Sequence, residues 1–526
     1  MKTSGILSRG IGGFLFVLVV LGPVLALAAR SIHDVASGHA DWLLLALPTG
    51  RRLQLLLQSV GFAASVALAG TCAGFVAATA LWRWRSGFRP LLLVMALLPA
   101  YVHTLAWSTA FAALNALLEP LGFAGIPLRG WGGAIFIQTM ALLPAGVYLA
   151  LVGLESLDRN LIEAARLAAP DAKVLGRVIL PLAAPMLAAG AGLLFLLSLI
   201  DYTVPSLCLV NVYALEIFAE FGASNEPGRA FLLSLPLLVV TLAALSFAHD
   251  RVKHAAQTTG GPRAARPLPP RWPPWFQRLQ CGALALLALQ IAVPLATLGV
   301  TASGWRATAD AVSAARNEVF FSFGVCAATA LLCLALSPLA ALWLWQRSHR
   351  NASVWLLLFV PLAVPAPLAG IGLIALWNQP DWHPLYGTRL MPVLAGAARF
   401  CSVAAMVLLA QLRQTDPLLF DATRVFQRRP WRGWWRVRLP MLAPGLLAAG
   451  CIVFALALGE LGATLIVAPP GHATLTMRIY NYLHYGASAT VAALCLTMTL
   501  LTLAAAGLAA AALKIWHRVN SNEDPS

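Results

Sequence analysis

Two carboxylates interrupt otherwise apolar stretches of this chain. Asp201 ends the run LLFLLSLI and opens DYTVP, and Glu460 sits in ALALGELGATLIV. A charge at membrane depth is costly, and it marks a pathway or a paired structural site. Asp201 lies 20 residues after Pro181, and Glu460 lies 20 residues after Pro440. Twenty helical residues rise about 30 Å, so both acids are expected near the outer ends of their apolar segments. There they would face one another or a shared cavity and line the gate of a path, or else be held as buried acids by backbone or Arg. Gly459, Gly462 and Ala463 are small enough to let helices approach Glu460 closely. His103 is a further polar residue at depth and a third candidate for the path; Gln138 and Gln411 are of the same kind. Alone, such residues more often make interhelical hydrogen bonds.

The elements that would carry these residues follow from composition. The chain has 526 residues, 60% hydrophobic and 11% charged, where soluble proteins carry roughly 25% charged residues. Apolar stretches of about 20 residues, each able to cross a bilayer, recur throughout. They centre near residues 20, 67, 101, 141, 197, 239, 288, 332, 365, 402, 455 and 503. The expected fold is an all-α polytopic membrane protein of about 12 transmembrane helices. The N-terminal run resembles a signal peptide, but its length and a counterpart later in the chain favour an uncleaved first helix. With the N-terminus inside, 26 of the 36 Lys and Arg residues fall in cytoplasmic segments, as the positive-inside rule requires. The net charge of +16 therefore belongs to loops, and no nucleic-acid partner is expected. Eight Cys lie in or beside apolar segments without a CxxC or Cys/His cluster, so they read as small buried hydrophobes. No metal site and no cofactor are expected.

An internal repeat organises the spans. Trp82-x-Trp84 recurs as Trp343-x-Trp345, and the segment beginning DRNLIEAARLAAP at Asp158 recurs from Asp416 as DPLLFDATRVFQRRP. Both copies continue into R-V-x-L-P-x-x-x-P and close on A-A-G. Two six-span halves in the same orientation are expected, related by an axis along the membrane normal. The halves are residues 1–257 and 276–526. Between them, residues 258–275 are rich in Pro and Arg and read as a cytoplasmic linker.

Each half places a short cytoplasmic helix between two spans. Asp158 can cap the first, and Asp416-Pro417 supplies cap and first-turn proline for the second. Pro170 stops the first helix at Ala169, because proline disfavours α conformation in the residue before it. At this point the sequence resembles a known family. EAARLAAPDAKVLGRVILP is similar to the EAA loop of permease subunits in binding-protein-dependent ABC importers. The resemblance covers both halves. It implies that each short helix is a coupling helix that docks on a separate ATPase subunit. Glu163, Ala164 and Ala165 would form the first dock, and Asp421, Ala422 and Thr423 the second. The family glycine is Ala169 in the first copy and Gln427 in the second, and the second copy also has Asp-Ala-Thr where the family has Glu-Ala-Ala, so the second dock is the less typical.

The same resemblance implies the partners: two copies of a cytoplasmic ABC ATPase, a soluble solute-binding protein and the lipid bilayer of a bacterial plasma (inner) membrane, with both termini cytoplasmic. The chain is then a transport subunit and not itself an enzyme. It lacks G-x-x-x-x-G-K-[ST], and none of its four Lys follows Gly, so it has no P-loop to cradle nucleotide phosphates. Outer connections that correspond in the two halves contain Glu216 and Glu220 in the first and Arg478, Tyr480, Tyr482 and Tyr485 in the second. These either dock the binding protein or anchor an interfacial loop.

The fused two-half arrangement resembles the iron(III) and thiamine branches of the family, and LGELGATLIV resembles the iron type more closely. The expected solute is therefore iron(III), with thiamine, phosphonate and polyamine as alternatives. A hard cation prefers oxygen ligands, which Asp201, Glu460 and the tyrosines could offer. A secondary transporter of the major-facilitator kind also has two parallel six-span halves, but WRWRSGFRP lacks the Gly-Asp-Arg loop typical of that class.

Overall fold

The computed structural model describes residues 13–82, 91–92, 95–122, 125–258, 272–347, 359–379, 385–415, 418, 436, 439–484 and 489–521. Its elements are helices throughout, and the protein is an all-α polytopic membrane protein. The N-terminal part contains α1 (Gly22–Ala36), α2 (Arg51–Leu81), α3 (Ala100–Leu118), α4 (Gly130–Glu155), α5 (Arg159–Ala168), α6 (Leu180–Ile200), α7 (Thr203–Leu207), α8 (Tyr213–Ser224) and α9 (Pro227–Thr258). The C-terminal part contains α10 (Pro274–Thr301), α11 (Trp305–Ala314), α12 (Arg316–Arg347), α13 (Ala366–Trp377), α14 (Leu390–Gln414), α15 (Leu439–Leu458), α16 (Thr464–Val467), α17 (Leu475–His484) and α18 (Ala489–Ser521).

Among the described residues nine helices are long and apolar enough to cross a membrane. The count is ten if Gly13–Val20 and Gly22–Ala36, bent by 62° at their joint, form one span. The spans expected near residues 101 and 365 are the ones that differ from expectation, because both are interrupted. Helical chain leads up to Pro99 and to Pro365, breaks, and resumes as α3 and α13. Both prolines are extended, with ψ of 137° and 142°. Proline removes a backbone donor and disfavours helix before it. Irregular backbone at such a depth survives only where protein buries it, and here it does: Leu98 is 5% exposed, Val364 3% and Ala363 0%.

Packing does not follow the boundary between residues 1–257 and 276–526. One apolar core joins α2, α4, α6 and α9 to Leu368, Ile371 and Leu373 of α13. The other joins α12, α14, α15 and α18 to Tyr101, Val102 and Leu105 of α3. The interrupted helix of each part is thus buried in the core of the other. The opening helices cross over as well, α1 lying on α13 and α10 on α2 and α3. Small residues permit these approaches. A Cβ added at Gly372 would lie 2.5 Å from the Pro23 carbonyl oxygen, and one at Gly74 would lie 2.7 Å from the Gly146 carbonyl carbon.

The two parts also share a tie. The Tyr213 N–H donates to Ser59 Oγ at 2.8 Å, fixing α8 to α2. The Leu475 N–H donates to Ser322 Oγ at 2.7 Å, fixing α17 to α12. Burial pushes the Tyr213 hydroxyl pKa up to about 12, so it remains a donor, to the Leu233 carbonyl at 3.0 Å.

Gly372→Val puts side-chain atoms into the α1 backbone, and such overpacking costs about 1–3 kcal/mol. The expected outcome is a thermal midpoint lowered by several degrees in detergent. Gly507→Ala, at a site open on all sides, should leave the midpoint unchanged; equal midpoints for the two variants would rule out the α1–α13 contact.

Candidate functional site

The two acids lie where α6 and α15 stop. At Asp201 the backbone turns extended, with φ −83° and ψ 128°. Its Oδ1 accepts from the Thr203 N–H at 3.0 Å and from Thr203 Oγ1 at 2.6 Å, which starts α7. Glu460 Oε1 accepts from the Ala463 N–H at 2.8 Å, ahead of α16. Each acid therefore accepts a backbone N–H at the entrance to the short helix that follows it, satisfying a donor that a helix start leaves open. Glu460 is only 5% exposed. Of the two arrangements expected for the acids, Glu460 has that of a buried group held by backbone and Arg.

The surroundings come from both parts of the chain. Tyr202, 2% exposed, packs beside Gly462, where an added Cβ would lie 3.1 Å from the tyrosine ring and 2.5 Å from the Ala366 Cβ. A Cβ at Gly459 would lie 3.0 Å from the Pro99 ring. The loops carrying the acids thus meet each other and both interrupted spans. Ser206 Oγ and Tyr480 Oη, 3.3 Å apart, make another contact between the parts.

A residue absent from the sequence-based candidates completes the site. Arg399, on α14, pairs with Glu460. It also lies within Coulombic reach of Asp201 and Tyr202. Its place in the N-terminal part, 261 residues earlier, is held by Gln138 of α4, which approaches the Asp201 carboxylate. Polar residues at matching positions of α4 and α14 thus face the two acids. That offset, shared with the Trp82 and Trp343 pair, was the available signal: an Arg in the apolar stretch LAGAARFCSV falls opposite a Gln. Removing one partner of a buried ion pair costs about 3–5 kcal/mol, so Arg399 and Glu460 stand or fall together. On the other acid, Oδ2 is buried and has no hydrogen-bond partner, as does the Tyr202 hydroxyl. His103 is fully buried on α3, and its Nε2 meets Gln290 Nε2 of α10 at 3.2 Å. The structure therefore gives it an interhelical contact, the commoner role for such a residue.

The short helix expected after Asp158 is α5. Asp158 accepts from the Asn160 N–H at 2.9 Å, and Ala169 turns extended before Pro170. Arg166 pairs with Asp171 at 2.8 Å across that bend. Ile162 is buried and Ala165 packs against the core, so the outward face is formed by Leu161, Ala164, Leu167 and Ala168. Leu167 is 93% exposed. Of Glu163, Ala164 and Ala165, the alanine at 164 is on that face and the one at 165 is on the opposite one. The two leucines were not among the sequence candidates. The second expected dock, Asp416, Asp421, Ala422, Thr423 and Gln427, lies outside the described residues, as does Tyr485.

The remaining outer-connection residues make intramolecular contacts. Glu216 of α8 pairs with Arg51 of α2 at 2.7 Å. Arg478 of α17 pairs with Glu318 of α12 at 2.6 Å. Glu216 and Arg478 thus carry opposite charges, and so do the residues they meet, Arg51 and Glu318. Glu220 pairs with Arg229 at 2.7 Å. The Arg478 guanidinium lies 5.6 Å from the Tyr482 ring centroid.

Comparison with known proteins agrees with this architecture. Residues 70–257 match the family described as binding-protein-dependent transport system inner membrane component. The chain is 26% identical over 183 residues to PhnV of Salmonella typhimurium, named for 2-aminoethylphosphonate transport, which is 35% of this chain and 68% of that protein. It is 30% identical over 210 residues to the molybdenum transport system permease protein ModB of Mycobacterium tuberculosis, covering 36% and 77%. It is 24% identical over 178 residues to the putrescine transport system permease protein PotI of Escherichia coli K12, covering 33% and 63%. With its apolar helices, its matched family segment and its coverage of a 30% identical permease, this chain belongs to the binding-protein-dependent transport system inner membrane components, the permeases of ABC importers.

Proposed function

We propose that this chain is a fused permease in which residues 1–257 and 276–526 are two halves that enclose one translocation path, driven by two copies of a separate ATPase. The observation that carries this reading is the junction of the acid-bearing loops, where Tyr202 of one half lies against Gly462 and Ala366 of the other. Two further facts support it. The paired bonds at Ser59 and Ser322 repeat at an offset of 262 to 263 residues. A relative of which 183 residues make up 68% is about half as long as this chain. Asp201 and Glu460 then line the gate of the path. His103 stiffens the helix beside it.

Coupling runs through α5. Its outward apolar face, Leu161, Ala164 and Leu167, suits a hydrophobic cleft on the cytoplasmic ATPase, with Glu163 at the edge. The resemblance assigns the equivalent role to Asp421, Ala422 and Thr423. A soluble binding protein delivers the solute at the opposite face. There Tyr482 is 36% exposed and the side chain of Arg51 is 66% exposed, whereas Glu216, Glu220 and Arg478 serve first as ties between helices. The concentration of Lys and Arg in alternate connections supports termini on the cytoplasmic side of a bacterial plasma membrane.

The solute follows less directly. Iron(III) drew support from oxygen donors at both acids, but Glu460 is committed to Arg399 and to the Ala463 N–H. Asp201 alone keeps an uncommitted oxygen. The relatives are named for 2-aminoethylphosphonate, molybdenum and putrescine. Two of these three are organic ions, and an organic solute with an ionised group is therefore ranked ahead of iron(III). Uptake of labelled 2-aminoethylphosphonate, putrescine, thiamine and iron(III) should be compared in cells with and without the gene. Loss of an organic solute with iron(III) accumulation unchanged is the expected result, and selective loss of iron(III) reverses the order.

Burying a leucine side chain contributes about 1.5–3 kcal/mol. Leu167→Glu should therefore weaken co-purification with the ATPase by roughly ten- to a hundredfold, with membrane abundance within twofold of wild type. Glu163→Lys should reduce stimulated ATP hydrolysis through like-charge juxtaposition at the same contact. Normal ATPase assembly and hydrolysis in both variants would remove α5 from the coupling interface.

A further inference from the structure

Among the described residues the junction holds one partly buried cation, Arg399, for two carboxylates, the buried Glu460 and the partly buried Asp201. Arg399 pairs with Glu460 in its own half, and Tyr202, the residue after Asp201 in the other half, packs against Gly462, two residues from Glu460. Asp201 keeps a buried oxygen, Oδ2, that accepts no hydrogen bond. A guanidinium carries five donors in a planar fork, so it can hold either carboxylate. The position equivalent to Arg399 is the neutral Gln138. Had both positions been Arg, each acid would have its own partner, and neither half would depend on the other for charge balance. One cation facing two acids instead makes two discrete arrangements available, of the kind that conformational switching requires.

We propose that Arg399 is a positioning residue whose exchange between Glu460 and Asp201 sets the state of the gate. Paired with Glu460, as seen here, it holds the loop 459–463 against Pro99, Tyr202 and Ala366, and the path is shut. Opening separates those loops. The guanidinium then leaves Glu460 for the vacant oxygen of Asp201, so that a buried charge always has a partner and the large cost of stranding it is avoided. No bond is made or broken covalently, and no proton moves. This inference rests on the reading of the junction as the translocation path.

The consequence is that neutralising the two acids acts in opposite directions. Asp201→Asn removes the acceptor of the open state and favours closure. Glu460→Gln removes the acceptor of the closed state and favours opening. A purely structural pair of acids would respond in one direction, through lower abundance.

The test uses the full permease with its ATPase subunits in nanodiscs, carrying Ala366→Cys at the closed contact. The rate of labelling at that position by a soluble maleimide reports opening, read by mass spectrometry so that the natural cysteines are counted separately. Relative to the Ala366→Cys parent, Glu460→Gln should label about tenfold faster and Asp201→Asn several-fold slower, with the double variant between them. Arg399→Lys, which keeps the charge, should stay within about twofold of the parent. Changes of the same sign for both acid variants, or no change with Asp201→Asn, would overturn the exchange while leaving the path reading intact, provided labelling of the parent responds to ATP. Labelling of the parent that is equal with and without ATP would overturn both.

Discussion

The pairing of Arg399 with Glu460 is the constraint around which the centre of this permease is organised. Neither group could lie so deep alone, since an uncompensated charge in a low-dielectric interior is far costlier than any single packing contact. Their pairing therefore fixes α14 against the end of α15, and with it the loop 459–463. That loop has no room to spare. Gly462 faces Tyr202 and Ala366, and Gly459 faces the Pro99 ring. The electrostatic tie determines where the loop sits, and the missing side chains allow the opposite part of the chain to close on it.

Interruption of the spans at Pro99 and Pro365 has its purpose in the same place. An unbroken helix would present only side chains to the junction. The breaks instead bring chain ends and small residues to the point where the acid-bearing loops turn. Exchange of the interrupted helices between the two cores, α3 into the C-terminal core and α13 into the N-terminal one, means that neither part buries its own apolar surface alone. On the coupling role proposed for α5, a movement imposed there would reach, through α6, a junction that belongs to both parts. Packed interiors favour discrete rearrangement over continuous deformation, which suits a path that must be either open or shut.

The ion pairs between α8 and α2 and between α17 and α12 join comparable helix pairs with the charges placed in opposite order. Glu216 meets Arg51, while Arg478 meets Glu318. The charge signs have exchanged across the contact, and the attraction is preserved. These pairs are partly exposed and contribute little stability individually. Their value is in setting the orientation of α8 and α17, which the Ser59 and Ser322 bonds hold at one end.

Much of this was legible in the chain itself, because the signals are local. Apolar length marks spans, a carboxylate among leucines marks a special site, and Asp158 with Pro170 marks both ends of α5. Each depends on a few neighbouring residues and on the solvent they prefer. Recurrence of Pro181 and Asp201 as Pro440 and Glu460 even announced that the acids correspond. What only the tertiary structure decided is which groups meet. Arg399 reads as an isolated basic residue until α14 is set beside α15, and Leu167 reads as one more leucine until Ile162 and Ala165 turn inward and leave it at the surface. Residues 103 and 201 are both polar groups at depth, yet one faces a glutamine across a helix contact and the other keeps an open oxygen at the junction. In an apolar sequence nearly every face of a helix is compatible with burial, so periodicity cannot say which face meets which neighbour; that choice is made by the long-range fit of small residues and by ion pairs such as Arg399 with Glu460.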